Sequence, residues 1–268
     1  MKMSYSEKIV AFIDILGFKE LIKQNDFEGM NDIYDEFNKM VRNAGGYIEW
    51  HFELAKEISK KTPPYPFSQS EQEIIFFSDC VVWSYPMDKL SQVSFAHAIL
   101  VLCQSLSVLQ YTLFKKKEIA IRGGISIGDL FLKGNKIFGP GLVKAYELEK
   151  KAKYPRIAFD EEMIKSRVSE SEMKKLDSVL SYDYCGFYYL DIFKAINLIN
   201  KSLIAASDPI EKTTLHENLN MYLDLIVPII NRGIKNEDCS VRIKYEWLKA
   251  KLFEIENLQY KKIKGWGL

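Results

Sequence analysis

The chain has 268 residues, a formal net charge of +1, and hydrophobic and charged fractions of 47% and 27%. That is room for one large domain or a domain with an appendage, and the charge balance excludes both a global basic field for nucleic acid and an acidic tail. The four cysteines, Cys80, Cys103, Cys185 and Cys239, are far apart and have no zinc-ligand spacing, so they point to no metal–thiolate cluster. Cys80 and Cys103 lie in apolar surroundings and read as buried free thiols. The N-terminus carries no signal-peptide pattern, so the expected compartment is cytoplasmic.

In chain order, residues 8–14 read as a strand entering the core. From Lys19 to about Arg42 the pattern turns helical, with Met30, Ile33, Tyr34, Phe37, Met40 and Val41 at helical spacing, and Ala44-Gly45-Gly46 ends it. Residues 59–72, rich in proline and polar groups, form a loop. Two short strands, 73–77 and 80–84, meet at Ser78-Asp79 in hairpin geometry. The apolar stretch Val93–Phe114 carries too many polar groups for a membrane span and reads as a core helix, with His97 a core histidine.

Residues 118–132 predict a strand pair broken by Gly123-Gly124 and Gly128-Asp129. Phe138-Gly139-Pro140-Gly141 feeds a helix over 142–152, and 155–159 is a short strand with Asp160 placed to cap the next helix. Residues 182–191 read as a further strand pair or bent strand. Beyond Ile192 the pattern is helical, broken at Ser207-Asp208-Pro209, with helices over about 210–232 and 238–257. Helices mixed with antiparallel hairpins predict an α+β fold: a mostly antiparallel sheet flanked by helices over 1–191, and a helical C-terminal extension over 192–268 packed on it.

The chemistry-bearing feature is a pair of acids. Asp14 interrupts Ile9-Val10-Ala11-Phe12-Ile13-Asp14-Ile15-Leu16, and Asp79 interrupts Ile74-Ile75-Phe76-Phe77-Ser78-Asp79-Cys80-Val81. A carboxylate in such a run is costly to bury unless it is paired or bound to a cation. Two of them suggest one shared metal site, and a metal between carboxylates suggests phosphate chemistry. Asp14 as a helix N-cap and Asp79 as a plain turn residue are the alternatives. The three histidines are isolated, and neither a Ser-His-Asp arrangement nor a Walker-type loop is present.

These residues also carry a resemblance. Phe12-Ile13-Asp14-Ile15-Leu16-Gly17-Phe18 resembles the first metal motif of class III nucleotide cyclases, and Phe77-Ser78-Asp79 the second. Arg122-Gly123-Gly124-Ile125-Ser126-Ile127-Gly128 looks like the Arg-x-Gly-Ile-x-x-Gly strand of that fold. The segment Phe138 to Glu149 looks like the one where those cyclases carry dimer-interface catalytic residues. The order and rough spacing of all four agree. The bacterial pyrimidine cyclases of Pycsar anti-phage systems are the branch most similar in phrasing, across the Arg-Gly-Gly strand, the Phe-Gly-Pro turn, the Ala-Tyr-x-Leu-Glu helix, Tyr154-Pro155-Arg156-Ile157 and Lys244-Tyr245-Glu246-Trp247-Leu248.

The resemblance implies two divalent cations, Mg²⁺ or Mn²⁺, bridged by Asp14 and Asp79 with the Ile15 carbonyl as a further ligand. Leu16-Gly17-Phe18 would open a helix whose free N–H groups cradle the triphosphate. Purine cyclases select the base at positions that fall here on Ile75 and Lys136, and neither can reproduce adenine's hydrogen bonding. Their Asn and Arg on the following helix fall on Val143 and Glu147. Arg122, Lys136 and Lys144 are the nearest basic candidates for transition-state charge, and Tyr146 could stack on a pyrimidine. The structural alternatives are Arg122 as an ion-pair partner, Lys144 as a solvated helix face and Tyr146 as core.

The implied activity is conversion of UTP or CTP, with uridylate preferred as the commoner assignment in the branch, to a cyclic 3′,5′ monophosphate. The implied assembly is a homodimer with active sites at its interface. The product would be a second messenger for a separate effector, such as a TIR NADase or a membrane-spanning protein, since this chain has no effector domain. No nucleic-acid or membrane partner is expected. A catalytically inactive nucleotide-binding homologue, a purine cyclase, and a purely structural protein using its helical tail are the competing readings.

Overall fold

A computed structural model describes residues 5–35, 38–39, 67, 71–90, 94–134 and 136–254. The expected helix end at 44–46 and most of the 59–72 loop lie outside the described residues. The chain forms two compact units, Met1–Leu190 and Asp191–Leu268.

The first unit is built on strands β1 (Ser6–Ile15), β2 (Glu73–Phe77), β3 (Cys80–Pro86), β4 (Ile121–Lys133), β5 (Lys136–Phe138), β6 (Ile157–Phe159), β7 (Leu180–Asp183) and β8 (Phe187–Leu190). They order as β2-β3-β1-β4-β6-β8-β7, with β5 hairpinned onto β4. Every pairing is antiparallel except β4 with β6. The helices are α1 (Phe18–Gln24), α2 (27–35), α3 (Phe95–Lys117), α4 (Pro140–Ala152), α5 (Glu161–Arg167) and α6 (Glu170–Leu176). The unit is therefore the expected α+β arrangement, a mostly antiparallel sheet with helices.

The alternation of β1 decides the two faces of the sheet. Ile9, Ala11, Ile13 and Ile15 lie buried on one face, where Val81, Trp83 and Tyr85 stand opposite them. Phe67 seats its ring against Trp83 and Tyr85. Val10 and Phe12 face the other way, into a cluster with Val82, Leu130, Ala145 and Leu142 under α4. Helix α3 is long and apolar enough over Phe95–Lys115 to cross a membrane. It is a core helix, with Ala98, Ile99, Val101, Leu102, Leu109 and Leu113 buried.

Two expectations need correction. The helical stretch from Lys19 is broken at Asn25-Asp26. The Asn25 amide donates to the Leu21 carbonyl, and Asp26 accepts from Gly29 N–H to start a new helix. Such side chains compete with the helical backbone and favour breaks and caps. The strand pair expected over 118–132 is one continuous strand, β4. Its glycines are not turns; they make room. A Cβ on Gly124 would stand 2.6 Å from Glu149 N and 2.7 Å from Leu148 Cβ, so only glycine lets α4 lie directly on the strand. Helix α4 starts at Pro140, two residues before the expected position, because proline's fixed φ suits the first helical turn. Asp160 caps α5 as expected, accepting from Met163 N–H at 3.0 Å.

The second unit contains α7 (Ile192–Ala205), α8 (Pro209–Gly233) and α9 (Cys239–Phe253). The break at Ser207-Asp208-Pro209 holds: Asp208 accepts from the N–H groups of Ile210 and Glu211, with proline in the first turn. Asp238 caps α9 in the same way. No strand occurs among the described residues of this unit.

Candidate active site

Strand register brings the acids together. Asp14 is the penultimate residue of β1, opposite Cys80 of β3 on one side and Arg122 of β4 on the other. Asp79 occupies the two-residue turn between β2 and β3, preceded by Ser78 at φ +48. A positive φ at the first central residue matches the right-handed twist of the strands and closes the hairpin tightly. The Ile15 N–H donates to the Asp79 carbonyl at 2.9 Å, tying the hairpin tip to the end of β1. Ligand atoms of Asp14, Asp79 and Cys80 consequently lie within 4.8 Å of one another.

Helix α4 completes the polar cluster from above. Glu149, on its inner face and only 3% exposed, pairs with Arg122, which also reaches Asp14 Oδ2 at 3.2 Å. Burial pushes the Glu149 carboxyl above the usual carboxylate range; the Arg122 guanidinium opposes this and the Asp14 charge adds to it. Arg122 Nε is buried and finds no acceptor among the described residues. The Cys80 thiol lies 3.6 Å from Asp14 Oδ1 and 3.6 Å from Asp79 Oδ1. Burial, then the charges of both aspartates and the hydrogen bonds to them, drive its pKa far above that of an ordinary thiol.

Beyond Ile15, the chain turns at Leu16-Gly17 into α1. Gly17 takes φ +81, the left-handed region that suits glycine, and caps the helix without a side chain. The first N–H groups of a helix have no intrahelical acceptor, so Gly17, Phe18 and Lys19 present donors at the end of β1; the Leu16 N–H, expected among them, instead donates to the Ala120 carbonyl at 2.9 Å.

Ile75 and Tyr146 share the face of the sheet that bears Asp14. Ile75 pairs with Val82, which pairs with Phe12, one row below Asp14. The Tyr146 ring sits edge-on to Phe12 at 5.3 Å, with Lys150 Nζ 4.2 Å from its centre, and it remains 41% exposed. It is neither core nor distant from the acids. Lys136 is elsewhere. It pairs with Lys133 at the tip of the β4–β5 hairpin, about 35 Å along β4 from Arg122 at an ordinary strand rise. Lys144 is bound by Asp160 at 2.7 Å and by Glu162 at 3.4 Å. Val143 and Glu147 are exposed on α4.

Asp14 is not a helix cap, since Gly17 holds that position. Glu149 and Cys80 were missed as members of the cluster. Glu149 was legible in principle: it shares the inner stripe of α4 with Ala145, Leu148 and Ala152, and an acid on a buried stripe needs a cation. Cys80 becomes visible only when β3 is registered against β1. It is half-buried, so of the two thiols expected to be buried only Cys103 is fully so.

The donor set fits a hard divalent cation. Two carboxylates on adjoining strand ends offer the oxygen ligands that Mg²⁺ and Mn²⁺ take. A cation would also offset two like charges held within 4.8 Å, of which Arg122 reaches Asp14.

No protein-family model matches the sequence, and no curated protein matches it. Among solved structures the chain is similar to a bacterial light-regulated adenylyl cyclase, with 14% identity and a TM-score of 0.43 over 63% of this chain and 47% of that one. It is similar to the guanylyl cyclase Cya2, with 9% identity and a TM-score of 0.42 over 71% of this chain and 93% of that one. A third is the catalytic core of a rhodopsin-guanylyl cyclase with converted specificity in complex with ATPαS, with 14% identity and a TM-score of 0.40 over 69% and 95%. The chain spans about half the length of the light-regulated cyclase. At these scores, function rests on the residues themselves.

Proposed function

We propose that the chain is a metal-dependent nucleotide cyclase that closes a pyrimidine nucleoside triphosphate, UTP in preference to CTP, to its 3′,5′-cyclic monophosphate. The observation that carries this reading is the Asp14–Asp79 pair beside the start of α1, with carboxyl oxygens within 4.8 Å. In the reaction the ribose 3′ oxygen bonds to the α-phosphorus, the bond from that phosphorus to the β-phosphate bridge breaks, the hydroxyl proton departs, and pyrophosphate leaves.

Asp14, Asp79 and the Ile15 carbonyl would hold the divalent cations. When bound, these would lower the pKa of the attacking hydroxyl and offset charge on the phosphates. The N–H groups of Gly17, Phe18 and Lys19 would take triphosphate oxygens. Ile75 and Tyr146 would form an apolar, aromatic wall for the base, without the hydrogen-bonding partners that a purine selector needs. A homodimer would bring Lys136 and the exposed face of α4 of one subunit to the acids of the other. The product would act as a cytosolic messenger on a separate effector in anti-phage defence.

One observation favours a second reading, nucleotide binding without turnover. Arg122 and Lys144 are both held in ion pairs, and Val143 and Glu147 bring no cation. Incubation with each of the four NTPs and Mn²⁺, followed by chromatography, separates the two. A cyclic pyrimidine product that disappears in Asp14→Asn and Asp79→Asn is the expected result. Mn²⁺-dependent thermal stabilisation by UTP with no product would support the binding reading. No cyclic product from any NTP, with no stabilisation by a triphosphate, would defeat the cyclase proposal, and a cyclic product that survives both substitutions would defeat the assignment of Asp14 and Asp79 as its metal site.

A further inference from the structure

We propose that Cys80 is a third ligand at the Asp14–Asp79 site, so that this site captures a thiophilic divalent ion such as Zn²⁺ as an O,O,S centre and holds it more tightly than Mg²⁺ or Mn²⁺. The inference rests on reading the aspartate pair as a metal site but needs no cyclase turnover.

The geometry is specific. Tetrahedral zinc with a Zn–S bond of about 2.3 Å and Zn–O bonds of about 2.0–2.2 Å has S···O edges of roughly 3.5–3.7 Å. Cys80 Sγ stands 3.6 Å from Asp14 Oδ1 and 3.6 Å from Asp79 Oδ1, one oxygen from each acid. Arg122 engages the other oxygen of Asp14, Oδ2, at 3.2 Å. The three residues are held by backbone: Asp14 and Cys80 are cross-strand partners, Asp79 precedes Cys80, and the Ile15 N–H fixes the Asp79 carbonyl. The two acid oxygens stand within 4.8 Å of each other, and three ligands on one side of an ion leave a fourth position open.

Ligand softness then sets the selectivity. Carboxylate oxygens alone suit hard ions, and a sulfur ligand shifts preference toward Zn²⁺, Cd²⁺ and Co²⁺. On coordination the S–H bond breaks, the sulfur keeps the electron pair and bonds the metal, and the proton leaves to solvent. Occupation by zinc would deny the acids to the ions that the cyclase reading requires, making the site a zinc-inhibited one.

The test uses the full chain with the exposed Cys185 and Cys239 changed to serine, so that Cys80 and the buried Cys103 are the remaining thiols. Titration with Co²⁺ should produce a thiolate-to-cobalt charge-transfer band, and Zn²⁺ binding should release a proton. Adding Cys80→Ser, or Cys80→Ala, should abolish the band and weaken Zn²⁺ by about tenfold or more. Mn²⁺ affinity, followed by thermal shift in the same variants, should change by less than about threefold, which also reports that they are folded. Absence of the band in the parent, its survival without Cys80, or equal Zn²⁺ affinities would overturn the proposal. A zinc site with Cys80 ligation and no cyclic product from any NTP would reject the cyclase reading alone. Cyclase activity with no sulfur band would reject Cys80 alone.

Discussion

Gly124→Ala asks whether one missing side chain is what lets α4 reach the candidate site. An added Cβ would lie 2.6 Å from Glu149 N, 2.7 Å from Leu148 Cβ and closer still to the Ala145 carbonyl oxygen. Two of these are backbone atoms, so no rotamer change relieves the clash and the helix must move as a body. Overpacking a tight interior costs about 1–3 kcal/mol, and a clash against backbone belongs at the upper end, about 3 kcal/mol. At about 2–4 °C per kcal/mol for a folded unit of this size, the variant should melt about 6–12 °C below the parent. The control is Val143→Ala on the exposed face of the same helix, expected within about 0.5 kcal/mol of the parent. Circular dichroism melts and urea titrations give both numbers. Because α4 carries Glu149 to Arg122, the Mn²⁺-dependent thermal shift should also shrink. A Gly124→Ala protein that melts within about 2 °C of the parent refutes the idea that this glycine sets the helix position.

The ion pairs give further outcomes. Arg122→Gln leaves the buried Glu149 carboxylate without its cation, at a cost of about 3–5 kcal/mol near neutral pH. Glu149 is already raised by burial against the pull of Arg122, and the substitution raises it further. Stability tied to a raised carboxyl is fully present below its unfolded pKa and is lost as pH rises through the folded one. The Arg122→Gln deficit should therefore narrow on going from about pH 8 to about pH 5. Equal deficits in urea titrations at the two values would contradict this. Asp183 is partly buried, which alone would raise its carboxyl, but hydrogen bonds from Arg156 and the Cys185 N–H hold it below the usual range. Its contribution is present above its unfolded pKa and is lost as pH falls through the folded one, in the window below about pH 4. Asp183→Asn should flatten that acid limb and remove the carboxylate charge that faces Arg156, which is buried against the rings of Phe187 and Tyr189, for about 3 kcal/mol at neutral pH. Melts of parent and variant from about pH 3 to pH 7 with parallel slopes would count against it.

Local pattern carried much of the fold. The alternation around Asp14, the two-residue turn at Ser78-Asp79, the cap at Asp160 and the break at Ser207-Asp208-Pro209 each depend on a few adjacent residues, so they were legible one segment at a time. One error fell where a distant element decided and one where local hydrogen bonds outweighed apolar spacing. Gly123-Gly124 and Gly128 read as breaks because glycine ordinarily marks turns. In the folded unit Gly124 lies under α4, and Gly128 under Gly141 at the start of that helix, so β4 runs through without a break. The helix from Lys19 read as one because apolar spacing continues across Asn25-Asp26, whereas local side-chain hydrogen bonds end it there.

The candidate site divides along the same line. The sequence by itself determined that two acids end apolar strands, that one sits in a hairpin turn and the other precedes a glycine-started helix, and that Ile75 stands apolar near them. Only the tertiary structure decided that Cys80 and Arg122 flank Asp14, that Glu149 descends on Arg122 from α4, that Tyr146 leans on Phe12, and that Lys136 lies at the far end of β4. The physical reason is register: a strand's own residues set its alternation, but which residue stands across from Asp14 is chosen by pairing between segments 66 and 108 positions apart.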